Sequence, residues 1–201
     1  MPKSIYLRLL PLTLVWLLSA CVSTPPEPVG PAVSWSAHVQ QLNDLSRFQA
    51  RGTFAYLTPQ RRQSARFFLQ QKDAEHYQLL LLNPLGGTVL EISAAPGNIT
   101  LKDNDGKTYQ GVNADELVYR LTGMQIPVTN LRHWILGLPG DNDTYTLAGQ
   151  RLATLQHVTP DGTWMMRYNS YDVNSSPVLP AAMELTQGDQ RIKLKIDDWI
   201  L

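Results

Sequence analysis

The 201-residue chain contains a single cysteine, Cys21, so no intramolecular disulfide can close and stability has to come from a packed core. It has no surplus of either charge. Lys+Arg number 17 and Asp+Glu 17, so no basic field draws phosphates or anionic head groups, and nucleic acid is not expected as a partner. The short catalytic signatures are missing as well: there is no G-x-S-x-G, no H-E-x-x-H and no phosphate-binding loop. His38, His76, His133 and His157 lie far apart in sequence and none forms a ligand-spaced pair. Neither catalysis nor a resident metal or cofactor is therefore expected. Asp103-Asn104-Asp105-Gly106 resembles the start of a calcium loop, but the closing glutamate is absent, and a β-turn accounts for the same residues.

A long apolar run is also lacking. The N-terminus carries Lys3 and Arg8, no acid, and an apolar stretch from Leu9 to Leu18, shorter than the roughly 20 residues that cross a bilayer. A basic start, a short apolar segment and small residues are the pattern of a secretory signal peptide over 1–20. The segment ends Leu18-Ser19-Ala20-Cys21, which looks like the lipobox of bacterial lipoproteins, with Cys21 the acylated first residue after cleavage. Two or more acyl chains there would hold the protein stably at a membrane. Residues 21–33 contain Pro25, Pro26, Pro28 and Pro31 without a hydrophobic period, the composition of an extended tether. Residues 34–201 remain, a length suited to one domain.

That domain opens with a helical pattern: Ser34 as cap, Trp35, Val39, Leu42 and Leu45 on one side, and His38, Gln40, Gln41 and Asp44 on a polar side. From Phe48 the period changes to two. Phe48, Ala50, Gly52, Phe54 and Tyr56 share one face, as do Ala65, Phe67 and Leu69, and then Tyr77, Leu79 and Leu81. Further strands are expected at 88–94, 98–103, 107–111, 144–149, 151–158, 163–169, 181–187 and 190–197, separated by turn pairs such as Asp105-Gly106, Asp161-Gly162 and Gly188-Asp189. About eleven short antiparallel strands are more than a flat open sheet carries, so the sheet should curve strongly towards a barrel.

Two short helices interrupt the meander. Asn113 caps the first, with Leu117, Val118 and Leu121 on its apolar face; Thr129 opens the second, with Leu131, Trp134 and Ile135, and Gly137 closes it. Those faces need an apolar partner, and the concave side of the sheet offers one, which makes the helices a lid over a hollow lined from below by residues such as Phe54, Phe67, Leu79 and Leu81. Trp164 and Met166 fit either such a lining or an ordinary core. One turn stands out. In LLLLNPLGG, Asn83-Pro84 stops a leucine strand and Gly86-Gly87 reverses the chain, leaving Leu85 at the apex of a hairpin. A turn leucine usually folds back onto the core; beside a bilayer it can instead enter the membrane surface.

The lipobox, RGTFAY, ARFF, LLLLNPLGG, LTGMQIP, RHWILGLPGD, PAAMELT and QRIKLKIDDWI, in this order over the whole chain, resemble the LolB family of outer-membrane lipoproteins. The resemblance implies an unclosed β-barrel with a helical lid, similar to the periplasmic carrier LolA. It further implies a receptor that accepts lipoproteins from that carrier, by their acyl chains, and incorporates them into the outer membrane of a Gram-negative bacterium without nucleotide energy. Pro84, Leu85 and Gly86 would form the membrane-transfer loop. Val22 and Ser23 follow Cys21 where an Asp would signal inner-membrane retention, so outer-membrane sorting is implied. The alternative is a lipoprotein that serves as a protein-binding assembly or structural module.

Overall fold

Phe48, Ala50, Phe54 and Tyr56 alternate with more exposed residues along β1 (Phe48–Leu57) and are all buried. One face of a pleated strand is thereby committed to the core, and the same period continues in its neighbours. The computed structural model describes residues 34–201; the signal segment, Cys21 and the tether lie outside them.

The strands β1, β2 (Arg62–Gln71), β3 (Tyr77–Leu82), β4 (Thr88–Ala95), β5 (Asn98–Asp103), β6 (Thr108–Gly111), β7 (Thr144–Ala148), β8 (Arg151–Thr159), β9 (Gly162–Asp172), β10 (Leu179–Gln187) and β11 (Gln190–Ile200) form one sheet of eleven. Its order is β6-β5-β4-β3-β2-β1-β11-β10-β9-β8-β7, with every neighbouring pair antiparallel. Two meanders are joined through their outermost strands in sequence, β1 and β11, which sit at the centre of the sheet. The edges are β6 and β7, which are not paired with each other, so the barrel stays open. Register shifts, including those at Arg51/Gly52 and Leu81/Leu82, add local twist to the curving sheet. At Gly52 a Cβ would overlap the carbonyl of Lys195 on β11 and come within 2.7 Å of the Phe67 ring. Only glycine lets these three strands close at that point.

Helix α1 (Trp35–Asn43) starts where Ser34 Oγ accepts from the Ala37 N–H at 3.3 Å. It docks on the β7–β8 hairpin: the Trp35 N–H donates to Gln150 Oε1 at 2.9 Å, and its indole packs against Tyr145 at 5.8 Å between ring centres. Leu42 is fully buried, but so is His38, which the period had put on the polar side. The contact surface is turned towards His38 and Leu42, while Val39 and Leu45 stay partly exposed. Burial, with a smaller contribution from the Arg151 charge, holds the His38 imidazole below its ordinary pKa.

Between β6 and β7 come α2 (Ala114–Thr122) and α3 (Val128–Ile135). Asn113 caps α2, its Oδ1 accepting from the N–H groups of Asp115 at 2.9 Å and Glu116 at 3.2 Å. Helix α3 lacks a side-chain cap of its own, its N-cap being Pro127, and Thr129 lies inside the first turn. The acceptor comes from the other helix: Asp115 Oδ1 takes the Thr129 N–H at 2.9 Å and its hydroxyl at 3.0 Å. Two helices too short to be stable alone are thus fastened to each other as well as to the sheet.

Candidate functional site

Beneath α2 and α3, on the concave face, lies an apolar cavity of about 50 Å³. Its floor is laid by cross-strand partners. Phe67 faces Leu81, which faces Leu90; one rung further, Leu69 faces Leu79, which faces Ile92. Phe54 and Leu194, paired across β1 and β11, extend the floor, and Tyr77 closes one end. The roof is Val118 of α2, Ile126 in the connection, and Val128, Leu131 and Ile135 of α3. Roughly 10–15 Å³ is enough for one water, so the space holds a few water-sized groups, less than a fatty acyl chain occupies.

Of the lid and cavity candidates taken from the sequence, Phe54, Phe67, Leu79, Leu81, Leu131 and Ile135 line this space. Leu117, Leu121, Trp134, Trp164 and Met166 do not. Leu117 is buried under α2, where it packs on the backbone of Gly111: a Cβ there would sit 3.2 Å from its Cδ1. Leu121 is half-buried against the core. Met166 pairs with Leu155 and Leu185, and Trp164 lies opposite His157; both belong to the fully packed β8–β10 half, away from the cavity over β1–β4. Leu69, Tyr77 and Val118 share the apolar faces that the period revealed, and Leu90, Ile92 and Leu194 continue them on β4 and β11. Arg132 had no such signal, since a charged residue on a short helix reads as solvent-facing.

Trp134 has a different role. Its indole N–H donates to Asp143 Oδ2 at 2.8 Å, the Gly140 N–H donates to the same oxygen at 2.6 Å, and His157 Nδ1 meets Asp143 Oδ1 at 2.7 Å. The Asp143 side chain is only 1% exposed. On the far side of the ring, His157 Nε2 lies 2.8 Å from the Asn130 side-chain amide. The Tyr168 hydroxyl of β9 donates to the Trp134 carbonyl at 2.9 Å. This network fixes α3 to β8 and β9. On its opposite side α3 reaches the β2–β3 connection through Arg132 alone, whose Nη2 donates to the Ala74 carbonyl at 2.8 Å and to Gln71 Oε1 at 3.2 Å, with the guanidinium 4.5 Å above the Tyr77 ring. Helix α3 is thus strongly held on its β8–β9 side and more lightly on its β2–β3 side, while the end of α2 and the connection after it are tied to the sheet by Arg61 Nη1, which donates to the Thr122 carbonyl at 2.7 Å, and by Gln190 Nε2, which donates to Gln125 Oε1 at 2.6 Å.

Leu85 is 97% exposed. The turn that carries it is organised by Asn83, whose Oδ1 accepts from the N–H groups of Leu85 at 2.9 Å and Gly87 at 3.0 Å, while the Gly86 N–H donates to the Asn83 carbonyl at 2.9 Å. Pro84 and Gly86 are exposed beside it, and Gly86 takes a left-handed φ of 88° that a side chain would strain. The Asn83 bonds hold the leucine out from the domain on an ordered support. Asp103-Asn104-Asp105-Gly106 forms a turn of the same kind, with Asp103 Oδ1 accepting from the N–H groups of Asp105 and Lys107.

The profile of the family described as "Outer membrane lipoprotein LolB" matches residues 46–199. The outer-membrane lipoprotein LolB of Photorhabdus laumondii is 49% identical over 195 residues, covering 96% of this chain and 94% of its own. That of Yersinia enterocolitica is also 49% identical, over 203 residues, covering 98% and 97%. Among solved structures, a LolA superfamily protein from Nitrosomonas europaea superposes with a TM-score of 0.53 at 11% identity, covering 84% of this chain and 94% of that one. A putative outer membrane lipoprotein-sorting protein domain from Vibrio parahaemolyticus gives 0.54 at 9% identity, covering 83% and 91%. These two likenesses concern the fold, an unclosed antiparallel sheet with a helical cover; the sequence relatives and the family profile go further, and on their extent over nearly the full length the chain belongs to the LolB family of outer-membrane lipoproteins.

Proposed function

We propose that this protein receives the acyl chains of lipoproteins in the cavity beneath α2 and α3 and passes them into the outer membrane. In this reading residues 1–20 are a signal peptide that is removed, acylated Cys21 anchors the chain, residues 21–33 are the tether, and residues 34–201 are the lipoprotein-binding domain. The observation that carries the reading is the pairing of an apolar floor with a separate apolar roof that few polar bonds tie down along one edge. Transit through water demands such a place: each CH₂ withdrawn from water is worth about 0.8 kcal/mol, so an unprotected chain would cost several kcal/mol. Lifting the roof enlarges a space that is nearly closed when empty.

Cargo comes from the carrier LolA, and hand-over runs downhill by affinity, at about 1.4 kcal/mol per tenfold difference. Pro84, Leu85 and Gly86 form the contact with the membrane. A single leucine entering the interface gains about 1.5–3 kcal/mol at most, too little to anchor the domain but enough to orient it and loosen the lipid where cargo enters. The reading is tested with Leu131→Glu, which places a carboxylate in the roof. Acylated peptide should displace a hydrophobic fluorescent probe from the wild type and should do so at least tenfold more weakly from the variant, since a buried unpaired charge costs several kcal/mol. If acylated and unacylated peptides behave alike with the wild type, the cavity is not an acyl-chain site and the assembly-module reading takes its place.

A further inference from the structure

Among the described residues Arg132 is the one charged residue bordering the cavity, which it meets with its aliphatic stem while its guanidinium sits at the rim. A container for hydrocarbon has no use for a guanidinium, and this one is partly desolvated with no carboxylate among the described residues close enough for an ion pair, Asp73 acting on it only from a distance: Nη2 has the Ala74 carbonyl and Gln71 Oε1, together with the face of Tyr77. Its Nε is buried and has no hydrogen-bond partner among the described residues. An unpartnered charged-group donor at the rim of a cavity points to an acceptor that arrives when the rim opens.

An acyl chain brings one. Its polar end is an ester or amide carbonyl, an acceptor with no donor of its own, and entry into an apolar cavity strips that oxygen of water. Arginine is the complementary partner, since it only donates and does so from several N–H groups in one plane. Building on the acyl-chain reading of the cavity, we propose that Arg132 forms a carbonyl subsite, taking the ester or amide oxygen that joins an acyl chain to its polar body. In the empty protein Nη2 bolts α3 to the β2–β3 connection. As the lid lifts along that edge the bonds to Ala74 and Gln71 part, and the incoming carbonyl replaces the acceptors that opening removes. Polar closure and polar recognition are the same side chain in two states, so lid opening is favoured by a ligand with a carbonyl at its head and not by hydrocarbon alone.

The test compares two peptides that differ only in the lipid linkage: one bears two ester-linked palmitoyl chains, the other two ether-linked hexadecyl chains, which have no carbonyl. Affinities are measured by displacement of a hydrophobic fluorescent probe from the full chain carrying Cys21→Ala, which removes its own lipid. The wild type should prefer the ester peptide by roughly tenfold, the worth of a hydrogen bond to a charged donor. Arg132→Met should reduce the preference to about twofold or less, and Arg132→Lys should retain part of it. A residue that only latched the lid would change both affinities together and leave their ratio alone, so an unchanged ratio in Arg132→Met overturns the subsite. Should that variant fail to fold, the wild type decides by itself: equal affinity for the two peptides also overturns it. Failure of both peptides to bind the wild type instead removes the acyl-chain reading beneath it.

Discussion

Replacing Asp143 by alanine should loosen the strongly held edge of the lid. The carboxylate accepts from three donors, the indole of Trp134, the imidazole of His157 and the Gly140 N–H, at 2.6–2.8 Å. Trp134 is 1% exposed and the His157 side chain 20%, so neither donor finds water easily once the acceptor has gone. A buried donor left unsatisfied costs about 1–3 kcal/mol. Counting each of the three donors at the low end, the loss is about 3 kcal/mol. For a domain of this size each kcal/mol lowers Tm by about 2–4 °C, giving a fall of roughly 6–12 °C. Asp143→Asn should cost less, since its carbonyl still accepts while its amide opposes one donor. Thermal unfolding followed by near-UV circular dichroism reports both the midpoint and the environment of the tryptophans. Amide exchange then locates the change, and α3 should lose protection before β1 and β11. A fall in Tm below about 2 °C, or uniform loss of protection, would refute the view that this network anchors the lid.

Leu85→Glu should leave folding and acceptance of cargo near normal and impair deposition, scored as cargo on the receptor and cargo in liposomes in a two-stage transfer assay; a defect confined to acceptance would remove the membrane role of the turn. Cys21→Ala should move the protein from the outer-membrane to the soluble fraction, as read by fractionation and immunoblot. His38 links stability to acid. Burial depresses its pKa in the folded state, so the unfolded chain takes up a proton first as pH falls below the ordinary imidazole value of about 6.5, and stability present above that value is lost as pH drops through the folded-state pKa. Tm should therefore fall between pH 7.5 and 5, and His38→Leu should flatten that part of the profile; an unchanged slope would show that His38 is not among the groups responsible.

Alternation and turn chemistry were enough to read the strands, because most have one face on the core and one nearer water, and a period of two survives in residues such as Phe54, Phe67, Leu79 and Leu81. The pairing of β1 with β11 had no local signal. It joins residues such as Phe54 and Leu194 that no turn connects, and two compatible faces are all the sequence offers. At the site, the apolar floor was visible as a set of faces, but the boundary between cavity and core was not. Trp134, Trp164 and Met166 are as apolar as Leu131 and Ile135; what separates them is how completely the β8–β10 half fills its interior, a matter of three-dimensional packing. His38 was misplaced and Arg132 passed over for one reason: charge or polarity reads as exposure until a partner is seen, and their partners, the β7–β8 end of the sheet for His38 and Ala74 and Gln71 for Arg132, are remote in sequence. The turn carrying Leu85 was legible because Asn83, Pro84, Gly86 and Gly87 specify it, but whether the leucine folds back or stands out is decided by its surroundings, and the structure leaves it exposed.

The location of a bound acyl chain tests the central claim most directly. A peptide whose acyl chain carries a nitroxide near its methyl end would be added to the Cys21→Ala chain with labelled Leu, Ile and Val methyls, and paramagnetic broadening followed by NMR. Strong broadening is expected at Leu79, Leu81, Ile92, Leu131 and Ile135, which surround the cavity, and little at the exposed Leu147 and Val158 on β7 and β8. Broadening confined to exposed methyls, with those five unaffected while the peptide is bound, would contradict it.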